Sequence, residues 1–380
     1  MSDPQASSGD EKAFPVPFAE RVPTLHLKKG SAKPLYGGHP WVFAEAIASQ
    51  DGPKADSGCE VRVVDEQGAC LGRGFYSPES AIPVRLLTRA DAPINDDFLE
   101  KRIDEALRLR RDVVLPPLKR GGRGGVDSAP NLSDKDRTQL EALDKQLATV
   151  NTFAAQYGMD AMEETAELRK KRGELIKAAG VESANSGTEQ ADSLLYTTAY
   201  RAINSEGDGL GGLTVDVYGD FLSVQFGTAG MDRRSAKILD ILEDRFHPIG
   251  IVDRSDAKSR TIEKLPPPKT GPLRGKAPTE PFYIREFGLE MICDLRSGKS
   301  QKTGLYLDQR ENRRHVAGFA ADRNVLDVFS YTGGFALHCA KAGAKSITLV
   351  ESSEEALGLA KTNLERNAKP IFRMTTLLQP

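Results

Sequence analysis

Hydrophobic positions along the chain change period several times, and each change marks a different kind of element. Short alternating runs come first: 25–27, 60–64, 69–75 and 83–87 read as strands, with a turn at Asp65-Glu66-Gln67-Gly68. Over 97–114 the period becomes helical, with Leu99, Ile103, Ala106 and Leu107 on one stripe that Pro116-Pro117 ends. Leu140, Leu143, Leu147, Val150, Ala154 and Tyr157 then alternate steps of three and four from an N-cap at Ser133. Ala161, Thr165, Leu168, Leu175 and Ala179 continue the pattern more weakly to Gly180. The spacing predicts an antiparallel helical hairpin, because neither helix alone buries its stripe. Further on, Leu213, Val215 and Val217 alternate, Tyr218-Gly219-Asp220 turns, and Leu222, Val224 and Phe226 alternate again. That is a hairpin with one buried face. A helix is expected over 232–246, a strand over 250–253, a proline-rich connector over 266–281 and a strand pair over 282–295.

The C-terminal region carries the most informative pattern. The mostly apolar run 324–329 has the character of a buried parallel strand and breaks into a turn at Tyr331-Thr332-Gly333-Gly334. A helix over 335–342 follows, with Gly343 placed for a left-handed cap, and a second apolar run over 346–350 ends on Glu351. Strand, glycine turn, helix, strand and acid form a βαβ unit of an open parallel sheet, whose ligands sit at the carboxyl ends of the strands. Gly333 and Gly334 remove Cβ atoms where a ligand approaches, and Glu351 can accept both hydrogens of a ribose diol. The G-x-G-x-x-G that holds a pyrophosphate is missing from 329–335, so S-adenosylmethionine is a better match than NAD. Several of these residues also have a purely structural reading. Asp308 with Glu311, and Ser352 with Glu355, have capping-box spacing. Arg310, Arg313 and Arg314 read equally as a solvated face or a phosphate clamp, and Asp327 as a residue that holds the turn by hydrogen bonds.

Composition narrows the setting. At 380 residues the chain has room for two or three domains, and 39% hydrophobic with 28% charged residues is the balance of a soluble globular protein. No apolar run is long enough for a bilayer, and 1–21 is polar and acidic with no secretory core, so a disordered tail is expected. Cys59, Cys70, Cys293 and Cys339 are scattered without C-x-x-C, which argues against zinc or a disulfide framework and for reduced thiols in the cytoplasm. A net charge of -2 leaves any nucleic-acid contact to local basic patches. The loop Asn204-Ser205-Glu206-Gly207-Asp208-Gly209 lacks an EF-hand's ligands and reads as a turn, so no metal is expected. Residues 119–131 read as a basic flexible linker with one Arg-Gly-Gly copy, 181–192 as a polar loop, and Trp41, followed by Val42 and Phe43, as core.

LDVFSYTGGF, preceded by KTGLYLDQRENR, resembles the paired motifs of class I RNA methyltransferases. The resemblance is to the large-subunit ribosomal RNA cytosine-C5 methyltransferase family with an N-terminal PUA domain, over 25–367 with one insertion. LKKGSAKPLYGGHPWVFAEAI, GRGFYSPES and IPVRLLTR are similar to the PUA part. YRAINSEGDGLGGLTVD and IVDRSD are similar to the middle domain, with Gly211 where the family usually has proline. The resemblance implies S-adenosylmethionine as cofactor and a cytosine of 23S-type ribosomal RNA as substrate. It places Asp308, Gln309, Arg310, Phe329, Ser330, Tyr331, Thr332, Gly333, Gly334, Glu351 and Ser352 beside the cofactor, and Lys28, Lys29, Lys33 and His39 on RNA. The fold class it implies is a multidomain α/β and α+β chain. A PUA β-barrel would span 22–92, and an α+β middle domain 96–281, with linker and helical insertion over 119–192. An incomplete Rossmann-like methyltransferase domain would occupy 282–380, and a homodimer is compatible with this organisation.

The family's later motifs, an Asp-Pro-Pro and a Ser-Cys-Ser, have no counterpart, and 369–380 does not resemble the family, so a chain truncated within its methyltransferase domain is expected. The resemblance implies a cysteine nucleophile, which would lie beyond this C-terminus. Cys339, among Ala336, Leu337 and Ala340, is expected to be buried and inert, so this polypeptide is expected not to methylate RNA. A guanine-specific rRNA methyltransferase and a non-catalytic RNA-binding protein are the alternative readings.

Overall fold

The computed structural model describes residues 22–113, 197–269, 271–296, 304–367 and 372–376, with Lys135, Gln139, Ala142 and Lys171 as isolated helical positions. The 1–21 tail, the 119–131 linker, the 181–192 loop and all but those four residues of the helical hairpin lie outside the described residues. The chain divides into two compact units at Ile94/Asn95.

The first unit contains strands β1 (Thr24–Leu27), β2 (Trp41–Val42), β3 (Ile47–Asp51), β4 (Glu60–Val64), β5 (Cys70–Tyr76) and β6 (Val84–Thr88), with a short helix α1 (Lys33–Tyr36). They form one sheet in the order β2-β6-β5-β4-β1-β3. The expected alternation is real: Leu25, Leu27, Val61, Val63, Val84 and Leu86 build the core. The turn after β4 is locked by Asp65, whose Oδ1 accepts the N–H groups of Gln67 and Ala69 at 2.9 and 2.8 Å. Trp41 departs from expectation. Val42 takes the core position, and Trp41, one residue away on the opposite face, groups with His39 and Phe43.

In the second unit α2 (Asp96–Val113) buries the predicted stripe of Leu99, Ile103 and Ala106. Strands β7 (Ala199–Asn204), β8 (Leu213–Tyr218), β9 (Phe221–Phe226), β10 (Gly250–Asp253) and β11 (Pro272–Gly275) form a sheet in the order β11-β10-β9-β8-β7. Three details differ from the sequence reading. The β8–β9 hairpin is covered on both faces, since Asp216 and Ser223 are as buried as Val215 and Val224, and Arg201 clamps Asp216 at 2.8 and 3.1 Å. The helix expected over 232–246 is two helices, α3 (Ala229–Arg233) and α4 (Ser235–Phe246), broken at Arg234. The proline-rich connector supplies β11, which pairs antiparallel with β10. The loop after β7 is a turn, as read: Arg110 holds Asp208 through two 2.7 Å bonds. Among the described residues no His, Cys, Asp and Glu cluster could hold a metal ion.

This sheet shares a core with the C-terminal part, in which Tyr218, Val252, Ile284 and Met291 join Leu337, Ile347, Leu349 and Leu357. Tyr218 Oη accepts the Leu305 N–H at 2.9 Å. A hairpin, β12 (Phe282–Glu286) and β13 (Leu289–Cys293), precedes α6 (Arg310–Ala317), β14 (Asn324–Val328), α7 (Gly334–Lys341), β15 (Ser346–Glu351), α8 (Glu354–Asn367) and β16 (Phe372–Thr376). Between β10 and β11 lies α5 (Ala257–Ile262), capped by Asp256, whose Oδ2 accepts Ser259 N–H at 2.8 Å. Strands β14, β15 and β16 are parallel and in that order. One expectation is corrected here: within the run that did not resemble the family, 372–376 form a third parallel strand. The apolar β14 is an edge strand with Leu326 and Val328 exposed, the open edge that a sheet of so few strands leaves. No helix among the described residues is long and apolar enough to cross a membrane.

Candidate cofactor site

The site is the bend between β14 and α7. Both Phe329 and Ser330 donate their N–H to Val350 O, at 2.8 and 3.2 Å, which folds the chain over the end of β15. Phe329 (φ 61°), Tyr331 (φ 49°) and Gly333 (φ 75°) all take left-handed backbone. For the two non-glycine residues this costs on the order of 1–3 kcal/mol each, the kind of strain found at ligand clamps. Asp327 Oδ2 accepts the Ala336 N–H at 3.1 Å and so pins the start of α7, in keeping with its turn-holding role. Burial pushes the Asp327 carboxyl up, the Ala336 bond opposes this in part, and the charge on Glu351 adds to the rise.

Glu351 faces the bend. Its Oε2 accepts the Tyr331 N–H at 2.8 Å, and its Oε1 accepts Ser352 N–H, Ser352 Oγ–H and Ser353 N–H at 2.8, 3.1 and 3.2 Å. Burial works against ionisation, but the N–H bonds from Tyr331, Ser353 and Ser352 outweigh it and hold the carboxyl below its ordinary range. A ribose diol would meet a spare lone pair on Oε2 and compete with the Ser352 hydroxyl at Oε1.

The glycines also serve the packing of the protein itself. A Cβ on Gly333 would lie 3.0 Å from Ala360 Cβ and 3.3 Å from Leu349 Cδ2, and one on Gly334 3.0 Å from Arg313 Cδ. The space they leave is filled by α8, β15 and α6, so close packing of the protein itself requires them. Asn363, fully buried on α8, ties this packing together. Its Nδ2 donates to Thr332 O at 2.9 Å and its Oδ1 accepts Ile292 N–H at 2.7 Å.

Of the other predicted residues, Ser330 and Thr332 are buried in the bend, and Ser330 Oγ has no hydrogen-bond partner among the described residues. Phe329 presents its ring to solvent, 79% exposed. The 306–310 segment reaches the bend through Tyr306, whose ring meets Tyr331 edge-on at 5.7 Å. Asp308 is exposed and does not cap α6; the N-cap position belongs to Gln309, whose Nε2 donates to Asp308 Oδ2 at 3.2 Å. Arg310 pairs with Glu311 at 2.9 Å and lies 5.5 Å over the Phe287 ring, with Arg314 at 5.1 Å over the same ring. The cap on α8 is Ser353, whose Oγ accepts Ala356 N–H at 3.2 Å, while Ser352 is engaged with Glu351. In the first unit Lys28, Lys29, Lys33 and His39 are all exposed.

Arg313 is neither a solvated face nor a clamp. It is buried and forms a fork on Glu286, Nε to Oε1 and Nη2 to Oε2, both 2.7 Å, while Nη1 donates to Tyr306 O at 3.1 Å. His338 Nε2 donates to Glu286 Oε1 at 3.0 Å. Sequence reasoning missed this triad. The signal was present, however: Glu286 alternates with the core residue Ile284, and Arg313 stands on the same stripe as the buried Ala317 and Ala320. Burial opposes ionisation of Glu286, yet His338 and Arg313 outweigh it and bring the carboxyl down to about 2. Because the folded value is depressed from 4.5, the stability it contributes is in full above pH 4.5 and drains away as pH falls toward 2. Melting curves of wild type and Glu286→Gln taken between neutral pH and about pH 3 should therefore converge as acid is added. A constant gap would count against the ion pair.

Neither buried cysteine is poised for attack. Burial raises the thiol pKa of Cys293 and of Cys339, and neighbouring Asp294 and Asp327 add to it.

Comparisons with known proteins agree with this geometry. A PUA-like domain profile matches 25–89, and an S-adenosylmethionine-dependent methyltransferase profile matches 266–378, which extends the likeness past residue 367, where the sequence reading ended it. Ribosomal RNA large subunit methyltransferase I of Klebsiella pneumoniae (strain 342) is 32% identical over 347 residues, covering 91% of this chain and 66% of the relative. The protein of the same name from Aeromonas salmonicida (strain A449) is 30% identical, with 91% and 67% covered. The chain thus spans about two thirds of the length of the curated relatives it matches. Among solved structures, a putative SAM-dependent methyltransferase from Streptococcus mutans superposes with a TM-score of 0.61 at 17% identity, over 94% of this chain and 71% of that one. SMU.776, a putative methyltransferase complexed with SAH, gives 0.62 at 18%, over 94% and 70%. These two likenesses concern the fold.

Proposed function

Since this chain belongs to the ribosomal RNA large subunit methyltransferase I family, whose members are S-adenosylmethionine-dependent, we propose that its β14–α7 bend and Glu351 hold that cofactor, in the cytoplasm, for use on large-subunit rRNA. The observation that carries the reading is the 2.8 Å bond from Tyr331 N–H to Glu351, which holds the acid against the bend. Asp308, Gln309, Arg310, Phe329, Ser330, Tyr331, Thr332, Gly333, Gly334, Glu351 and Ser352 are the proposed cofactor residues. Among them, Glu351 Oε2 keeps a spare lone pair, and Ser330 Oγ has no hydrogen-bond partner among the described residues. The cofactor supplies an electrophilic methyl group; Glu351 orients its ribose, and Phe329 and Tyr331 offer apolar cover.

The finer reading keeps cytosine C5 as the target. C5 becomes nucleophilic when a thiolate adds to C6 and pushes electrons toward C5; methyl transfer, loss of the C5 proton and thiol elimination then complete the change. Cys293 and Cys339 are buried with raised pKa values, and Cys59 and Cys70 belong to the first unit. On this reading neither buried thiol, Cys293 nor Cys339, is the nucleophile. A guanine target, which needs no thiolate, is the second reading that the buried cysteines favour. Titration calorimetry of the full chain should give S-adenosylhomocysteine binding, no NAD binding, and at least about tenfold weaker binding in Glu351→Ala, the scale of one or two lost hydrogen bonds. Unchanged affinity in that variant, or NAD binding in its place, would sink the proposal. A tritiated-methyl transfer assay on rRNA fragments separates the two targets.

A further inference from the structure

His39, Trp41 and Phe43 follow one another at every second position, and the strand period puts their side chains on one face while Val42 enters the core. The rings are organised. Trp41 stands edge-on to His39 at 5.3 Å and 88° and to Phe43 at 6.3 Å and 80°. His39 and Phe43 are in turn within 29° of parallel, their centroids 6.3 Å apart. His39 and Phe43 are exposed, and Trp41 is half-buried beside them. Trp41 Nε1 is buried with no acceptor among the described residues.

The loop carrying these rings is rigid. Leu86 N–H donates to Pro40 O at 2.8 Å, His39 N–H to Pro34 O at 2.9 Å, and the Arg89 guanidinium ties Leu35 O and His39 O at 3.0 and 2.9 Å. Trp41 N–H donates to His39 Nδ1 at 3.2 Å, which leaves the imidazole hydrogen on Nε2. The charge beside the rings has one dominant sign: from residue 28 to 46 the chain has Lys28, Lys29 and Lys33 against a single acid, Glu45. The backbone N–H of Lys28 donates to Ala46 O at 2.8 Å, which ties the start of this segment to its end, three residues beyond Phe43.

Preorganised rings edged by lysines suit a flat, π-faced, anionic ligand. A paired helix offers no open base faces, whereas an unpaired nucleotide does. Two van der Waals contacts of about 3.5 Å, one on each side of a base, need about 7 Å, little more than the His39–Phe43 separation. We propose that His39, Trp41 and Phe43 form a stacking site for an unpaired base of the RNA substrate, with Lys28, Lys29 and Lys33 on its phosphates. This deepens the rRNA reading and rests on it.

Trp41 is the single tryptophan of the chain, so its emission reports this site alone. Full-length protein is titrated with a labelled RNA hairpin bearing an unpaired loop, the same hairpin with an abasic loop, and a blunt duplex. Anisotropy of the label reads binding, and Trp41 emission reads stacking. The intact loop should quench Trp41 and bind roughly 5- to 100-fold tighter than the other two, the range a stacked base gives. Phe43→Leu, which keeps apolar volume, should erase that preference, and His39→Ala should weaken it. Lys28→Gln should weaken all three RNAs alike and lower the salt slope by about one. Binding without quenching, or a loop preference intact in both ring variants, overturns the stacking site and leaves the rRNA reading standing. Failure of every RNA to bind overturns both.

Discussion

Arg313→Met should lower the stability of the second unit by about 3–5 kcal/mol, the cost of leaving a buried carboxylate without its partner. Glu286 and Arg313 are both buried and joined by a two-bond fork, and His338 is the third member. The triad fastens three pieces of chain: β12 through Glu286, α6 through Arg313 and α7 through His338. Methionine matches the arginine stem in length, so the loss would be electrostatic and would not come from a void. Arg313→Lys should recover little, because an ammonium cannot form the fork and still reach Tyr306 O. Removing all the charge at once should be milder: Glu286→Leu with Arg313→Met and His338→Leu leaves nothing uncompensated. Urea unfolding followed by far-UV circular dichroism measures each. A loss below about 1 kcal/mol in Arg313→Met would mean that water reaches the fork and that the triad does not hold the elements together.

Gly333→Ala has the second-largest effect, and it should strike stability and cofactor affinity together. Left-handed backbone costs a residue with a Cβ about 1–2 kcal/mol, and overpacking adds about 1–3 kcal/mol. The added methyl meets Ala360 Cβ at 3.0 Å and Leu349 Cδ2 at 3.3 Å, inside the layer between α7, β15 and α8. Relief would require the bend to lift off α8, carrying Tyr331 away from Glu351 and weakening S-adenosylhomocysteine binding. A double-mutant cycle with Ala360→Gly isolates the steric part, since only the pair reopens the space. Additive losses in that cycle would show that backbone strain alone is responsible. Gly333→Ala with wild-type affinity and stability would remove the bend from any account of the site.

Much of this architecture was legible in the sequence because local rules suffice for it. The alternation of Val61 and Val63, the stripe of Leu99, Ile103 and Ala106, and the βαβ run ending on Glu351 each depend on neighbours within a few residues. What was not legible depends on distant partners. Arg313 looks like any helix-surface arginine until Glu286, 27 residues earlier, is brought beneath it. Gly333 looks like a ligand-approach glycine until Ala360 packs against it. Trp41 looked like core because apolar residues follow it, but the period of two gives that place to Val42. Asp308 has capping spacing, yet the 3-10 turn Leu307–Gln309 shifts the helix start and leaves it outside the cap. Phe372, Arg373, Met374 and Thr375 do alternate, but the run is too short to stand out, and the edge of β15 is what pairs it.

One buried amide has a thermodynamic corollary. Asn363 spends its two ends on different neighbours, the carbonyl of Thr332 in the bend and the N–H of Ile292 in the β12–β13 hairpin. Neither bond can be relaxed without rotating an amide that has no other place to go. The free energies of the two regions are therefore linked, and linkage is symmetric. Whatever steadies the bend steadies the hairpin, and a partner that grips the hairpin steadies the bend by the same free energy.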